Sequence, residues 1–177
     1  MSNRGDPLLV RMDIHTIAVG GGPVPSVIVL QSRVSEGGAP IQLPIRIGPV
    51  EAMAISMGLD PAGRERPMTH DLLSNVIKTL GATVTGVAIV DVHGTTFYAE
   101  VMLTTDMGRF VKVDSRPSDA IALAVRVGAP IYADDQVLDA ATMPDFRGVE
   151  KEEKQQELER FHDFVESLSP ADFAQEE

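Results

Sequence analysis

The sequence predicts an α+β fold made by duplication: three strands and two helices, then three strands and two helices, around a shared sheet. Three observations predict it. Alternating apolar runs come in two sets of three, each followed by helical periodicity. One helix-entry phrase occurs twice, as Ile47-Gly48-Pro49-Val50-Glu51-Ala52-Met53-Ala54-Ile55 and as Asp114-Ser115-Arg116-Pro117-Ser118-Asp119-Ala120-Ile121-Ala122-Leu123. In both, a β-rich run ends, Pro opens a helix, and one carboxylate introduces an almost entirely apolar stretch. Finally, 177 residues at 44% hydrophobic can bury one sizeable core with a small appendage.

Residues 8–19 alternate as a first strand, broken by Gly20-Gly21-Gly22-Pro23. Residues 27–30 form a second strand, Ser35-Glu36-Gly37-Gly38-Ala39-Pro40 turns the chain, and Ile41, Leu43, Ile45 and Ile47 alternate in a third. A helix starts at Gly48-Pro49, with Pro at the first helical position, Glu51 placed for a capping box and Gly58 read as the C′ glycine. After a linker over 60–67, Thr69 is expected to cap a second helix with a stripe of Leu72, Leu73, Val76, Ile77 and Leu80, closed by Gly81.

The second half repeats the plan. Residues 82–92 read as a strand and Asp91-Val92-His93-Gly94 as a turn. Residues 96–103 alternate, with Phe97, Ala99, Val101 and Leu103 on one face and Tyr98, Glu100 and Met102 on the other. Asp106-Met107-Gly108 turns into a strand over 109–113, a helix runs from about 116 to 127, and a shorter helix is expected over 134–141. The organisation predicted is a flexible N-terminus at 1–7, a domain over 8–147 (repeats about 8–81 and 82–141), and an acidic helical tail over 148–177. On the tail Leu158, Phe161, Val165 and Leu168 make a short apolar stripe, expected to dock on the body, on another subunit or on a protein partner.

The net charge is −11 and uneven: residues 150–177 hold ten acids against three bases. Such acidity argues against gripping nucleic acid by a broad basic face, and less against a local site where a few arginines meet a phosphate. No apolar run approaches the ~20 residues of a membrane span. The first seven residues lack a signal peptide's apolar middle, and the absence of Cys removes disulfides and thiolate metal sites. A cytoplasmic protein without a membrane role is the expectation. Phosphate-binding Gly-rich loops, His-Glu-x-x-His and Gly-x-Ser-x-Gly are absent, and with no Trp and 5% aromatics a base-stacking platform is poorly supplied.

Two constellations carry candidate chemistry. Glu51 and Asp119 each sit in the first turn of an apolar helix, where a carboxylate satisfies free N–H groups and the dipole, contributing ~0.3–1 kcal/mol. The helix after Asp119 has no polar residue until Arg126, so a carboxylate at its mouth needs a partner. Arg116 is one candidate partner and a bound divalent cation the other. Arg66-Pro67-Met68-Thr69-His70-Asp71 places Arg, His and Asp at another helix start. There Arg66, free N–H groups and His70 could hold a phosphate, against the plainer reading that Thr69 caps and Asp71 complements the dipole.

These residues also resemble a known family. Leu43-Pro44-Ile45-Arg46-Ile47-Gly48 with Glu51-Ala52 and Ile55, then Arg66-Pro67-Met68-Thr69-His70-Asp71-Leu72-Leu73, then Phe97-Tyr98-Ala99, then Arg116-Pro117-Ser118-Asp119-Ala120-Ile121-Ala122-Leu123-Ala124 with Ala129-Pro130-Ile131-Tyr132, resemble in order the signatures of the bifunctional nuclease domain family. The resemblance covers roughly residues 8–140. It implies duplicated β3α2 repeats sharing one barrel-like sheet, assembly into homo-oligomers (dimer or higher), and nuclease activity on both DNA and RNA.

The leading expectation is therefore a phosphodiester hydrolase acting on DNA and RNA, with Glu51, His70 and Asp119 catalytic and Arg66 and Arg116 on the substrate phosphate. Glu51, Asp71 and Asp119 are the expected ligands of a divalent metal, Mg²⁺ or Mn²⁺, since an all-oxygen site suits those ions. The alternative is a non-enzymatic oligomeric scaffold binding a regulatory protein or small ligand between its repeats. A third reading is a metal-independent ribonuclease using His70.

Overall fold

The computed structural model describes residues 8–21, 24–33, 40–60 and 66–141. All lie in Met1–Thr142, one of two units into which the chain divides; the other is Met143–Glu177. The expected N-terminal stretch 1–7 and the acidic helix over 148–177 lie outside the described residues.

The architecture is mixed α+β. Its elements run β1 (Leu9–Ala18), β2 (Ser26–Ser32), β3 (Gln42–Ile47), α1 (Pro49–Leu59), α2 (Thr69–Thr79), β4 (Ala82–His93), β5 (Thr96–Thr105), β6 (Phe110–Ser115), α3 (Pro117–Val127), β7 (Ile131–Asp134) and α4 (Asp135–Ala141). Ten of these match the expected elements to within a few residues. β7 was not expected. It joins the halves, pairing antiparallel with β1 (Leu9 opposite Asp134, Met12 opposite Ile131) and parallel with β4 (Val87 opposite Ile131).

The seven strands lie in the order β3-β2-β1-β7-β4-β5-β6. This sheet is not closed: β3 and β6 are its edges among the described residues, so the barrel-like closure implied by the resemblance is not seen. It is nonetheless strongly curled. At about 4.8 Å per strand, β3 and β5 would stand roughly 24 Å apart on a flat sheet. Yet Ile45, Arg46 and Ile47 of β3 and Thr96 and Phe97 of β5 line one cavity of about 400 Å³. No described helix is long and apolar enough to cross a membrane.

β2 shows how the core forms: Ser26, Ile28, Leu30 and Ser32 are buried and the alternate residues are not, the period of a sheet with one packed face. Over it lie α1 and α3. In α3, Ala120, Ile121, Ala122, Leu123 and Ala124 are all buried, as the absence of polar residues predicts. Burying Ile121 and Leu123 contributes about 1.5–3 kcal/mol each. α1 departs from expectation. It buries Ala52, Ile55 and Gly58 but exposes Val50, Met53 and Leu59, so its apolar sequence overstates its burial.

Gly58 is also not the C′ residue, since the helix continues through Leu59. It is instead a point of close approach: a Cβ there would strike the Val125 side chain and stand 2.8 Å from Nη1 of Arg126. Contact between the late residues of α1 and α3, together with a link between their first turns described below, makes the two helices parallel. Both positive dipole ends therefore emerge on one side.

α2 buries none of its side chains, although Ile77 packs against the core; Leu72, Leu73, Val76 and Leu80 remain exposed. Its N-cap is Met68 rather than Thr69, and Asp71 Oδ2 accepts the Met68 N–H at 2.9 Å.

Candidate active site

The two helix entries have the same local construction. β3 ends at Ile47, Gly48 is extended (φ −74°, ψ 160°), Pro49 begins α1 and Glu51 is its third residue. β6 ends at Ser115, Arg116 is extended (φ −72°, ψ 147°), Pro117 begins α3 and Asp119 is its third residue. Proline fixes φ for the first helical turn and has no N–H to leave unpaired there. The capping carbonyls then accept the first helical bonds, Ala52 N–H to Gly48 at 3.0 Å and Ala120 N–H to Arg116 at 3.1 Å.

The difference lies at the cap itself, Gly in one helix and Arg in the other. Gly48 is small because the Glu51 carboxylate folds back over it; a Cβ at Gly48 would collide with Oε2. Arg116 supplies the cation for both acids. Its Nε donates to Asp119 Oδ2 at 2.7 Å and its Nη1 to Glu51 Oε1 at 3.0 Å. The far oxygen of Asp119, Oδ1, lies 3.1 Å from His70 Nε2. With the carboxylate as acceptor, Nε2 carries the hydrogen, and in the neutral ring Nδ1 keeps its lone pair. Glu51, Arg116, Asp119 and His70 thus form one chain of contacts across α1, α2 and α3.

Burial pushes the Asp119 carboxyl up, but the hydrogen bonds from Arg116 and His70 and their charges outweigh it, so its pKa lies below the ordinary value of 3.8. The same contacts, Asp119 first and Glu51 second, hold the Arg116 guanidinium above its usual range. Asp119 is therefore ionised and Arg116 charged at neutral pH. The Arg116 side chain is nevertheless 65% exposed. It reaches the wall of the 400 Å³ cavity, which Glu51, Arg46, Thr95, Thr96, Phe97 and Ser118 also line.

The predicted residues thus divide. Glu51, Arg116, Asp119 and His70 are brought together, with Glu51 and Arg116 facing the cavity. Asp71 faces elsewhere: its Oδ1 accepts from Arg126 Nε at 2.7 Å and its Oδ2 caps α2. Arg66 is exposed just before α2, does not line the cavity and has no described bond to the other candidates. Among the described residues, no three His, Asp or Glu side chains are grouped so as to hold a metal ion. The site as arranged is an ion-pair clasp closed on a guanidinium, and its donor set does not fit a ready-made cage for Mg²⁺ or Mn²⁺. Arg46 was missed as a cavity residue. Its one signal is its place in the Leu43-Pro44-Ile45-Arg46-Ile47-Gly48 run, directly before a helix mouth.

Comparison with known proteins agrees with the residue pattern. The profile of the bifunctional nuclease domain matches residues 28–145. Two proteins of Mycobacterium tuberculosis are each 42% identical over 135 residues, 74% of this chain and 80% of theirs. They are uncharacterized protein MT1877 of strain CDC 1551 / Oshkosh and uncharacterized protein Rv1829 of strain ATCC 25618 / H37Rv. The matched span takes in both helix mouths and the two arginines of the cavity: this chain belongs to the bifunctional nuclease domain family.

Proposed function

We propose that the chain is a nuclease that hydrolyses phosphodiester bonds of DNA and RNA at the Arg116 clasp. The observation that carries this reading is the double engagement of an exposed guanidinium by Glu51 and Asp119, with His70 on the far oxygen of Asp119. A diester phosphate presents oxygens matched to the same fork and can take it over from the carboxylates. Arg116 then neutralises charge that builds on the phosphoryl oxygens.

A single site acting on both DNA and RNA cannot use the 2′-OH as nucleophile, so water attacks. The water oxygen forms the new P–O bond while the bond to the leaving sugar oxygen breaks. Glu51, released from Arg116 and facing the cavity, takes the proton of the water. His70, oriented by Asp119 through Nε2, takes up a proton from solvent at Nδ1 and passes it to the leaving oxygen, while Glu51 returns the proton of the water to solvent to complete the cycle. Dependence on Mg²⁺ or Mn²⁺ belongs to the proposal as a separate question, and no step above runs through an ion.

Glu51→Gln and Asp119→Asn are each expected to abolish cleavage of labelled single strands while the circular dichroism spectrum stays that of wild type. A wild-type rate in the double variant would refute the proposal. Loss of activity in EDTA with recovery on adding Mg²⁺ or Mn²⁺ would establish the metal; an unchanged rate would remove it.

A second reading, the oligomeric scaffold, is favoured by one observation: α2 leaves Leu72, Leu73, Val76 and Leu80 exposed along one stripe. Such a stripe supports homo-oligomer assembly under either reading. Cleavage that survives unchanged in the double carboxylate variant would favour the scaffold. The matching construction of the two helix mouths supports reading the halves as copies of one unit.

A further inference from the structure

A second arginine, Arg46, lines the cavity beside Arg116, and the mechanism leaves it unused. Arg46 lies on β3 between Ile45, which is buried, and Ile47. Arg46 is exposed, and it lines the cavity together with its neighbours Ile45 and Ile47. Arg116 is held by two carboxylates, whereas the Arg46 side chain makes no hydrogen bond or ion pair among the described residues.

We propose that Arg46 anchors a phosphate of the bound strand next to the one at Arg116, making the cavity a two-phosphate subsite for nucleic acid; this rests on the nuclease reading. The charge balance requires such an anchor. Glu51 and Asp119 offset Arg116, so on a chain of net charge −11 an approaching phosphate needs a cation that is not already neutralised. Arg46 is that cation. The hydroxyls of Thr95, Thr96 and Ser118 on the same lining supply donors for the remaining phosphate oxygens. A cavity of about 400 Å³ lies within the usual range for small-ligand sites of ~300–1,000 Å³.

Two phosphate contacts have a measurable signature. For single strands, log K falls against log salt with a slope of about −0.7 per contact, so two arginines give about −1.4. The experiment is fluorescence anisotropy of the full chain with a labelled phosphorothioate single strand over a salt series, alongside steady-state cleavage of the ordinary strand. Wild type is expected to show the −1.4 slope. In Arg46→Gln the slope should fall to about −0.7 and Kd rise roughly 10- to 100-fold. KM should rise while kcat stays within about threefold, the pattern of lost uniform binding. Arg46→Lys keeps the charge without the fork, so it should retain the slope with an intermediate Kd.

Wild-type slope and KM in Arg46→Gln, with Asp119→Asn inactive, would overturn the inference and leave the nuclease reading standing. A wild-type protein that neither binds nor cuts would overturn both. Failure of Arg46→Lys to recover binding, with both variants folded by circular dichroism, would also overturn the anchoring role.

Discussion

Helix α3 carries an arginine at each end, and the two do opposite work. Arg126 is 5% exposed; its Nε donates to Asp71 at 2.7 Å and its Nη1 to the Ala122 carbonyl at 2.7 Å, close to Gly58 of α1. It ties α2 to α3 where α1 passes. Arg116 is 65% exposed, and a cavity opens beside its two carboxylates. Both are short, charge-assisted contacts of the same chemical kind. Burial separates them: a ligand can compete for an exposed fork, while a buried one can only be removed at the expense of the fold. Arginine–carboxylate geometry therefore says little about function until access is known.

The largest effect expected is on chemistry at the exposed end. Asp119→Asn should lower kcat roughly 10²- to 10⁴-fold, because His70 loses the group that fixes its tautomer and orientation. Its stability at neutral pH should change by less than about 1 kcal/mol, as for exposed pairs. A variant within twofold of wild type in kcat, with melting far lowered, would invert the comparison.

The next effect belongs to the buried end. Arg126→Met removes a buried guanidinium's bonds to the Asp71 carboxylate and the Ala122 carbonyl, which should cost about 3 kcal/mol in urea unfolding. Cleavage per folded molecule should be unchanged. A loss of activity in the folded fraction would show that Asp71 and Arg126 are coupled to the cavity after all. Gly58→Ala sharpens the same point at smaller scale. Helix propensity favours Ala by about 1 kcal/mol, and crowding against Val125 and Arg126 opposes it by about 1–3 kcal/mol, so a net loss near 1 kcal/mol is expected. A gain in stability would mean that α1 and α3 can separate freely at this point.

Reading the sequence separated these cases only in part. The burial of α3 was legible because Ala120 to Leu123 offer no polar face to water. The same logic failed for α1, whose Val50 and Met53 are apolar yet exposed; composition reports what a helix can bury, and only its neighbours decide what it does bury. β7 escaped notice because four residues between Pro130 and a helix look like a connection, and its central place comes from pairing with β1 and β4, distant in the chain. The convergence of Glu51 and Asp119 was legible from the repeated entry phrase, which also offered Arg116 as their partner; Arg116 bonds to both acids. Pairing Arg66 with Arg116 at one phosphate was the natural guess from two Arg-Pro helix starts. Arg66 does not line the cavity, whereas Arg46 of β3 does, a placement that depends on sheet curl, a non-local property that no short motif encodes.

The smallest effect expected compares two aspartates through pH. Asp119 has its pKa lowered in the fold, so it contributes stability above its unfolded value, near 3.8, and that contribution is lost as pH falls through the folded value. Asp134, at the end of β7, is the opposite case. The residue is 7% exposed, and desolvation pushes its carboxyl up, against the Gln136 N–H bond and with Asp135 and Asp91 adding to the rise. A raised carboxyl favours the fold below the unfolded value and loses that benefit as pH climbs through the folded one. Asp134→Asn keeps an oxygen for the Gln136 N–H and removes the ionised form. Thermal melts should therefore find Asp134→Asn more stable than wild type at neutral pH, with the gap closing toward acid. For Asp119→Asn the variant should be the less stable at neutral pH, with its deficit shrinking toward acid. If the two gaps carry the same sign, the Gln136 N–H outweighs burial at Asp134, and that aspartate is a cap held in its charged form.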